Sequence, residues 1–299
     1  TLYFKNEYNI VPKSLQNYGM RPNNKNFVEK LTIKNNHYFL GIKTFHYGYE
    51  CITKTMNSNN FFFLKDFGHE NIIWVDPPKN HFLLLKNINK FQKYNHFPFY
   101  VELGTKNKLF EHYSDMKNKF PNDYNYMLES YILPQDKEKF LNRIGNEYTM
   151  SPDNMWIIKP FNLFGGEGIR IMENIQDIPE EAIIVKYISQ PYLINKKKFD
   201  LRLYALVTGY SPLKIYLYDD GIVRFASENY TIDQNNLKNV FIHLTKICIN
   251  RKYRKDGRVT KWRLKEFISY LQRERRVDFN NTWIKIKDLI VKAFISITD

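Results

Sequence analysis

The sequence predicts a mixed α/β (α+β) fold with more than one lobe, and three observations point to it. The chain of 299 residues is longer than one average domain. Its content of 43% hydrophobic and 16% aromatic residues is typical of a folded globular protein. Short apolar runs from residue 155 onward indicate strands, whereas the C-terminal part carries helical periodicity.

The first hundred residues predict a small N-terminal α/β lobe, residues 1–100. Phe61-Phe62-Phe63-Leu64 and Ile72-Ile73-Trp74-Val75 are short apolar runs typical of strands, and Asp76-Pro77-Pro78 predicts a turn after the second. Residues 105–118 have apolar side chains at helical spacing, and a loop follows at Phe120-Pro121-Asn122-Asp123.

Strands dominate the next part of the chain. They are predicted at Met155–Lys159, Ile169–Met172, Ala182–Ile188, Phe199–Thr208, Leu213–Tyr218 and Ile222–Ala226. Asp219-Asp220-Gly221 separates the last two strands, and Asp-Gly between alternating strands predicts a β-hairpin.

Two amphipathic helices are predicted at the C-terminal end. Their apolar stripes are Leu264, Phe267, Ile268 and Leu271 in the first, and Trp283, Ile286, Leu289, Ile290, Ala293 and Phe294 in the second.

Charge predicts a polyanionic partner. The net charge is +14, and the segment Lys246–Lys292 holds 15 Lys/Arg against 5 Asp/Glu, a local charge of +10. Nucleic acid, an anionic membrane or an acidic polypeptide would all satisfy this charge, and a solvated helical surface is the plain alternative. The concentration in one segment favours a docking face.

Several classes of protein are not favoured. Cys51 and Cys248 are too few for a disulfide framework or a cysteine-based zinc site, so a reducing compartment is expected. No apolar run approaches the length of a membrane-spanning helix, and no secretory signal opens the chain. Because the chain begins at Thr1, a processed product or fragment is expected.

Lys198-Phe199-Asp200-Leu201-Arg202 is the sharpest local feature. Alternate side chains of a strand share a face, so Phe199, Leu201 and Leu203 are expected in a core, and Lys198, Asp200 and Arg202 on the other face. That charged face suits a cleft holding a charged ligand. An exposed sheet face with ordinary salt bridges is the alternative.

A glycine-rich loop connects two predicted strands. Lys159-Pro160 precedes it, and Gly165-Gly166-Glu167-Gly168 can present backbone N–H groups to phosphate oxygens. The pattern is neither a P-loop nor a Rossmann fingerprint, and a simple turn is the alternative. Further along, Arg224 can clamp a carboxylate, and His243 or Thr245 could contact a nucleotide; His243 could equally be a packing residue.

The order of these motifs resembles the tubulin tyrosine ligase-like family, whose fold is ATP-grasp. The matching run is Trp156-Ile157-Ile158-Lys159-Pro160, Gly166-Glu167-Gly168-Ile169, Tyr187-Ile188, Pro191-Tyr192-Leu193-Ile194, Lys198 to Arg202, Pro212-Leu213, Gly221 to Phe225, Tyr230 and His243-Leu244-Thr245. Upstream, Asn95-His96-Phe97-Pro98, Gly104-Thr105-Lys106 and Tyr131-Ile132-Leu133-Pro134 fit other family motifs. Lys261-Trp262 resembles the KW segment of glutamate-adding members. The resemblance covers residues 70–299.

This resemblance implies two β-rich lobes that clasp ATP, a central lobe at 101–188 with the Gly-rich loop and an incomplete C-terminal lobe at 189–299. It implies a ligase that uses ATP and Mg²⁺ to add free glutamate to carboxylates of acidic tubulin tails through an acyl phosphate. A cytoplasmic, cytoskeletal location follows, with the cilium or basal body as a further site. Neither a membrane nor a nucleic-acid partner is expected.

The resemblance also implies residue roles. ATP would be bound by Lys106, Lys159, Gly166, Glu167, Gly168, Lys186, Tyr187, Ile188, Lys198, Asp200, His243, Leu244 and Thr245. Arg224 and Lys261 would hold the amino-acid substrate, and Arg202 and Arg224 would be the catalytic residues.

Four departures from the family pattern leave alternatives open. Gly165 stands where a basic residue is usual, Val185 where glutamine is usual, and Lys246 where asparagine ends the His-Leu-Thr-Asn motif, with Ile247-Cys248 after it instead of Tyr-Ser. The family's Mg²⁺ ligands are expected beyond residue 299. The chain could therefore be a fragment of an active ligase or an inactive relative that binds microtubules, and glycine or tyrosine are alternative substrates.

Overall fold

A computed structural model of the chain describes residues 40–44, 50–59, 61–63, 71–74, 85–86, 88, 92–145, 148–161, 163, 166–253, 257 and 259–298. The described residues form several sheets with helices between and after them, so the predicted mixed α/β fold is confirmed. Contacts divide the chain into two compact units, with the division between Phe99 and Tyr100.

The first unit contains a parallel sheet. Its elements are β1 (Leu40–Thr44), α1 (Glu50–Ser58), β2 (Phe61–Phe63), β3 (Ile72–Trp74) and β4 (Lys93–Tyr94). The strand order is β2-β1-β3-β4, and each neighbouring pair is parallel. The described parts of both apolar runs, Phe61–Phe63 and Ile72–Trp74, are therefore strands, as predicted. Leu64, Val75 and the turn predicted at 76–78 lie outside the described residues.

The second unit begins with helices around a four-stranded antiparallel sheet. These elements are α2 (Val101–Gly104), α3 (Lys106–Lys119), β5 (Ser130–Leu133), α4 (Lys137–Ile144), β6 (Trp156–Lys159), β7 (Arg170–Ile171) and β8 (Ala182–Lys186). The order is β5-β8-β6-β7. Alternation divides its side chains between two cores: Trp156, Ile158 and Ile184 pack with Phe140 of α4 on one face. Ile157 and Val185 pack on the other.

The remaining elements form a smaller sheet, a separate hairpin and four helices. They are β9 (Phe199–Arg202), β10 (Ala205–Tyr210), β11 (Leu213–Leu217), β12 (Ile222–Phe225), α5 (Val240–His243), α6 (Ile247–Asn250), β13 (Lys261–Arg263), α7 (Leu264–Glu274) and α8 (Asn280–Ile295). The sheet has the antiparallel order β13-β12-β9, and β10 pairs only with β11 among the described strands.

The predicted helical stripes make the core of this part. Leu264, Phe267 and Leu271 of α7 are each at most 3% exposed, and they pack with Val223 and Phe225 of β12. Phe199, Leu201 and Leu203 pack against the same cluster, as do Trp283 and Ile286 of α8. Both C-terminal helices are thus confirmed, and the apolar face of β9 points into the core as predicted.

Two predictions about the strands are wrong. The strand predicted over Phe199–Thr208 is broken between β9 and β10, so these two strands join different sheets. The hairpin predicted across Asp219-Asp220-Gly221 does not form, because β11 pairs with β10 while β12 pairs with β9 and β13.

The physical reason for the missing hairpin lies in Asp220, which is only 3% exposed. Its carboxylate accepts the N–H of Gly221 at 2.8 Å, the N–H of Lys265 at 3.3 Å and Arg263 Nε at 2.9 Å. A Cβ on Gly221 would lie 2.7 Å from the carbonyl oxygen of Arg202, so glycine permits the close approach of β9 to the start of β12. The Asp-Gly pair ties three strands together instead of turning one hairpin.

Across the part of the chain that the structure describes, none of the helices is both long enough and apolar enough to span a bilayer.

Candidate functional site

A chain of hydrogen bonds joins the two sheets of the second unit. Lys198 Nζ donates to Tyr187 Oη at 2.9 Å, and Tyr187 Oη lies 2.9 Å from His243 Nδ1. His243 Nε2 lies 3.2 Å from the carbonyl oxygen of Asn236, which can only accept, so Nε2 carries the hydrogen and Nδ1 accepts from Tyr187. Burial lowers the pKa of His243 to about 4, and the charge of Lys198 adds to the shift against the opposing Asn236 bond, so the imidazole is neutral near pH 7.

Lysine side chains converge beside this network. Burial, then the charge of Lys159, lowers the pKa of Lys198 to about 8, although Asp200 opposes the shift. Burial also lowers the pKa of Lys159, and the charges of Lys106 and Lys246 lower it further. The pKa of Lys106 is lowered by burial and by Lys246. Mutual repulsion of this kind is relieved by a polyanion, since each added negative charge favours the ammonium form.

The glycine-rich loop lies against the same lysines. Lys106 Nζ donates to the carbonyl oxygens of Pro160 at 2.9 Å and Leu163 at 3.2 Å, at the start of the loop that connects β6 to β7. Gly166 and Gly168 have φ of 95° and 68°, values that favour glycine. A Cβ on Gly166 would lie 2.6 Å from Ile249 Cδ1, so the Ile249 side chain would have to move to accommodate it. The loop backbone therefore sits close to the turn before α6.

Asp200 connects this cluster to Arg224. Arg224 donates from Nε to Asp200 Oδ1 at 2.7 Å and from Nη2 to Oδ2 at 2.6 Å, a bidentate pair. Thr245 Oγ1 donates to Asp200 Oδ2 at 2.8 Å. The bond to Asp200 raises the pKa of Arg224, and the Arg224 side chain is 14% exposed. The Asp200 carboxylate thus accepts hydrogen bonds both from Arg224 of β12 and from Thr245 in the turn after α5.

The pairing of strands extends a charged row across the smaller sheet. Arg224 of β12 lies opposite Asp200 of β9 on one side and Lys261 of β13 on the other. Arg202 lies opposite Ile222, two residues along the same strand face. Lys198, Asp200 and Arg202 thus share the face opposite the core, as the sequence pattern predicts; Arg202 and Lys261 are exposed.

Contacts bring most of the predicted site residues together. They join Lys106, Lys159, Gly166, Tyr187, Lys198, Asp200, Arg224, His243 and Thr245. Gly168 belongs to the same loop, where a Cβ would meet Leu163 Cδ1 at 2.8 Å. Leu244 packs on the core beneath the site.

Three predicted residues lie apart from these contacts. The Lys186 side chain lies over the ring of Trp156, with Nζ 4.9 Å from its centroid, and donates to the carbonyl oxygen of Asp153. Trp156 belongs to the core on the other face of the sheet, so the side chain of Lys186 points away from Tyr187. Ile188 is 51% exposed, and Glu167 is exposed at the tip of the loop.

Sequence reasoning missed Lys246 and Asn250. Lys246 directly follows the His243-Leu244-Thr245 motif, and this position next to predicted site residues could have identified it as a further site residue. Asn250 is fully buried and donates from Nδ2 to the carbonyl oxygens of Leu244 and Lys246 at 2.8 and 3.0 Å. No local pattern distinguishes such an asparagine from a helix-end residue.

The lysines and the glycine-rich backbone of this site suit phosphate. Ammonium groups and backbone N–H groups bind anionic oxygen, whereas Mg²⁺ prefers carboxylate and carbonyl oxygens. Within the described residues there is no group of three or more His, Cys, Asp or Glu side chains that could hold a metal ion.

Comparison with known proteins finds a protein family and individual relatives that this chain resembles. Residues 84–299 match the profile of the tubulin-tyrosine ligase family. The chain is 37% identical over 222 residues to tubulin monoglutamylase TTLL4 of Mus musculus, a match that covers 71% of this chain and 18% of that protein. It is 36% identical over 211 residues to tubulin polyglutamylase ttll-4 of Caenorhabditis elegans, covering 69% of this chain and 34% of the relative. Against tubulin polyglutamylase TTLL5 of Homo sapiens the identity is 34% over 238 residues, covering 76% and 18%. The chain thus spans between 18% and 34% of the length of these relatives.

Proposed function

The chain belongs to the tubulin-tyrosine ligase family, and from this premise we propose that it is an ATP-dependent ligase. The proposed reaction adds glutamate to side-chain carboxylates in the C-terminal tails of tubulin. The relatives named as tubulin monoglutamylase and polyglutamylases support this choice of amino acid and of protein substrate.

The observation that carries the proposal is the convergence of lysines on the glycine-rich loop. Lys106, Lys159 and Lys198 have lowered pKa values because they are partly buried near other cations, and a polyphosphate would neutralise them. We propose that these three lysines and the backbone of Gly166–Gly168 hold the phosphates of ATP. The lobes at 101–188 and 189–299 would then clasp the nucleotide, with adenine beside the chain at Lys186–Ile188.

In the proposed reaction, the γ-phosphoryl group of ATP would pass to the acceptor carboxylate, giving an acyl phosphate and ADP. The amine of the incoming glutamate would then attack the acyl carbon, forming an amide bond and releasing phosphate and a proton. The contribution of the chain is to position the groups and to neutralise charge. Arg224 and Lys261 lie opposite each other on neighbouring strands, and this supports the proposal that together they bind a carboxylate of the incoming amino acid. Arg202, exposed on the same face, would contact either the acceptor or the phosphate.

Asp200 has a positioning role in this scheme. Its two oxygens hold the guanidinium of Arg224 in a planar, bidentate arrangement that fixes the direction of the remaining N–H groups. Mg²⁺ is proposed from the family resemblance alone, and no step is assigned to it.

The acidic tail would bind the basic C-terminal segment. The end of α7 and the turn after it carry Arg273, Arg275 and Arg276, which are all exposed. An acidic peptide would be attracted to this surface, and its binding should weaken as salt is raised. The proposed location is accordingly the cytoskeleton.

The test is transfer of labelled glutamate to microtubules in the presence of ATP and Mg²⁺. We expect labelled tubulin with the unaltered chain, none with microtubules whose tails have been removed, and strongly reduced labelling with Lys159→Met. Lys238→Met is the matched control, because Lys238 is 86% exposed and pairs only with Glu173 among the described residues. Labelling with glycine or tyrosine alone would reassign the substrate.

A non-catalytic microtubule-binding role is the second candidate, and the local charge of +10 in Lys246–Lys292 favours it. It predicts salt-sensitive pelleting with microtubules that does not change when ATP is added. Absence of ATP binding by the unaltered chain, together with such pelleting, would replace the ligase proposal with this one.

A further inference from the structure

Lys246 occupies the turn that faces the glycine-rich loop. It lies between Thr245, whose hydroxyl donates to Asp200, and α6, whose side chain Ile249 lies against Gly166. A Cβ on Gly166 would be 3.1 Å from Lys246 Cδ, so the Lys246 side chain lies against Gly166. Gly166 itself is buried by this contact region.

The turn that carries Lys246 is fixed from below by Asn250. The side chain of Asn250 is fully buried, and its amide donates to the carbonyl oxygens on both sides of Thr245. Its Oδ1 accepts from Ser227 Oγ at 2.6 Å, which ties α6 to the end of β12. Because both ends of the turn are hydrogen-bonded, the direction of the Lys246 side chain is set by the fold.

Two other lysines, Lys106 and Lys159, lie within the electrostatic range of Lys246. Its ammonium group acts on Lys106 and Lys159, and no carboxylate among the described residues forms an ion pair with it. A cation held near two others on a glycine loop is the arrangement that binds successive phosphate groups.

We propose that Lys246 is a further phosphate-binding residue of the nucleotide cleft, with its stem packed on Gly166 and its ammonium group beside those of Lys106 and Lys159. This rests on the proposed function, because it assumes that ATP is the ligand of the cleft. It adds a positive charge at a position where the family resemblance leads one to expect asparagine. Nucleotides with more phosphates should benefit more from it.

The experiment measures the affinity of the whole chain for ATP, ADP, AMP and adenosine by titration calorimetry. Lys246→Met keeps the aliphatic stem and removes the charge, Lys246→Arg keeps a charge, and Lys238→Met is the control on an exposed lysine. Lys246→Met should weaken ATP binding by about tenfold or more, equivalent to about 1.4 kcal/mol. Adenosine binding should be unchanged, Lys246→Arg should retain most of the ATP affinity, and Lys238→Met should match the unaltered chain.

The stability of the ligand-free protein separates phosphate binding from a structural role. Removing one of several repelling charges should leave the thermal midpoint of Lys246→Met equal to or above that of the unaltered chain. Equal ATP affinities of the unaltered chain and Lys246→Met would overturn the inference while leaving the proposed function intact. Equal losses for ATP and adenosine would also overturn it. No ATP binding by the unaltered chain would instead refute the proposed function, and this inference with it.

Discussion

Raising the pH from 7.5 to 9 should weaken ATP binding by about eightfold, and Lys198 should account for the loss. The pKa of Lys198 is lowered to about 8 by burial and by the charge of Lys159. Phosphate groups beside the ammonium would return this pKa towards the ordinary value of a lysine, so the bound state holds a proton that the free state loses. Affinity therefore falls as the pH rises through the pKa of the free protein.

The magnitude follows from the free-state titration. With a pKa of about 8, Lys198 is mostly charged at pH 7.5 and mostly neutral at pH 9. The free energy needed to recharge it at pH 9 is about 1.2 kcal/mol larger than at pH 7.5, from about 1.36 kcal/mol for each unit of pKa. The same linkage predicts proton uptake on ATP binding that is largest above pH 8.

Titration calorimetry in buffers of different ionisation enthalpy measures both the affinity and the protons taken up. Lys198→Arg is the matched variant, because a guanidinium stays charged throughout this range and should give a flat profile. A flat profile for the unaltered chain would refute the reasoning. So would a parallel loss of affinity in Lys198→Arg, since the titrating group would then lie elsewhere.

Three other variants test the rest of the site. Asp200→Asn should lower the free energy of unfolding by about 1–3 kcal/mol, because the mostly buried Arg224 loses its carboxylate partner. The double variant with Arg224→Met should lose less stability than the sum of both single changes, and additive losses in urea unfolding would contradict this. Gly166→Ala should lower stability by about 1–3 kcal/mol and weaken ATP binding, since φ is 95° and the new Cβ would lie 2.6 Å from Ile249 Cδ1, whereas Gly104→Ala meets nothing within 4 Å and should change neither. His243 is buried and its pKa is lowered to about 4, so the free energy of unfolding should fall by about 3 kcal/mol as the pH falls from about 6.5 towards 4. His243→Gln should remove this part of the pH dependence of the unfolding free energy. An unchanged profile in this variant would exclude His243 as its source.

Local alternation was enough to place the charged face of β9. Phe199 and Leu201 pack in the core, so Lys198 and Asp200 must point the other way, and the period of two in a strand fixes this without tertiary information. The stripe of Leu264, Phe267 and Leu271 was predicted in the same manner from the helical period. Such patterns predict the buried face because each side chain on that face must be apolar, whichever residues it later packs against.

Partners distant in the chain could not be predicted in this way. The Asp-Gly turn was expected to make a hairpin, yet the carboxylate of Asp220 is used by Arg263 and Lys265, more than forty residues away. Lys186 was expected beside a nucleotide, whereas its side chain lies on Trp156 on the other sheet face. The contact of Lys246 with Gly166 likewise depends on how α6 packs against the loop.

The carboxylate of Asp200 occupies part of the guanidinium of Arg224 with which a ligand carboxylate would pair. An amino acid brings its own carboxylate, and the guanidinium it would bind already holds one of the same shape. A small carboxylate reaching Arg224 must therefore exchange with Asp200 or share the remaining N–H groups, so its intrinsic affinity is reduced by the strength of that internal pair. Thr245 also donates a hydrogen bond to Asp200. A ligand that binds Thr245 would therefore change how readily Asp200 releases Arg224. In the proposed reaction, selection of the amino acid would therefore depend on this competition with Asp200 as well as on the fit of the amino acid to the site.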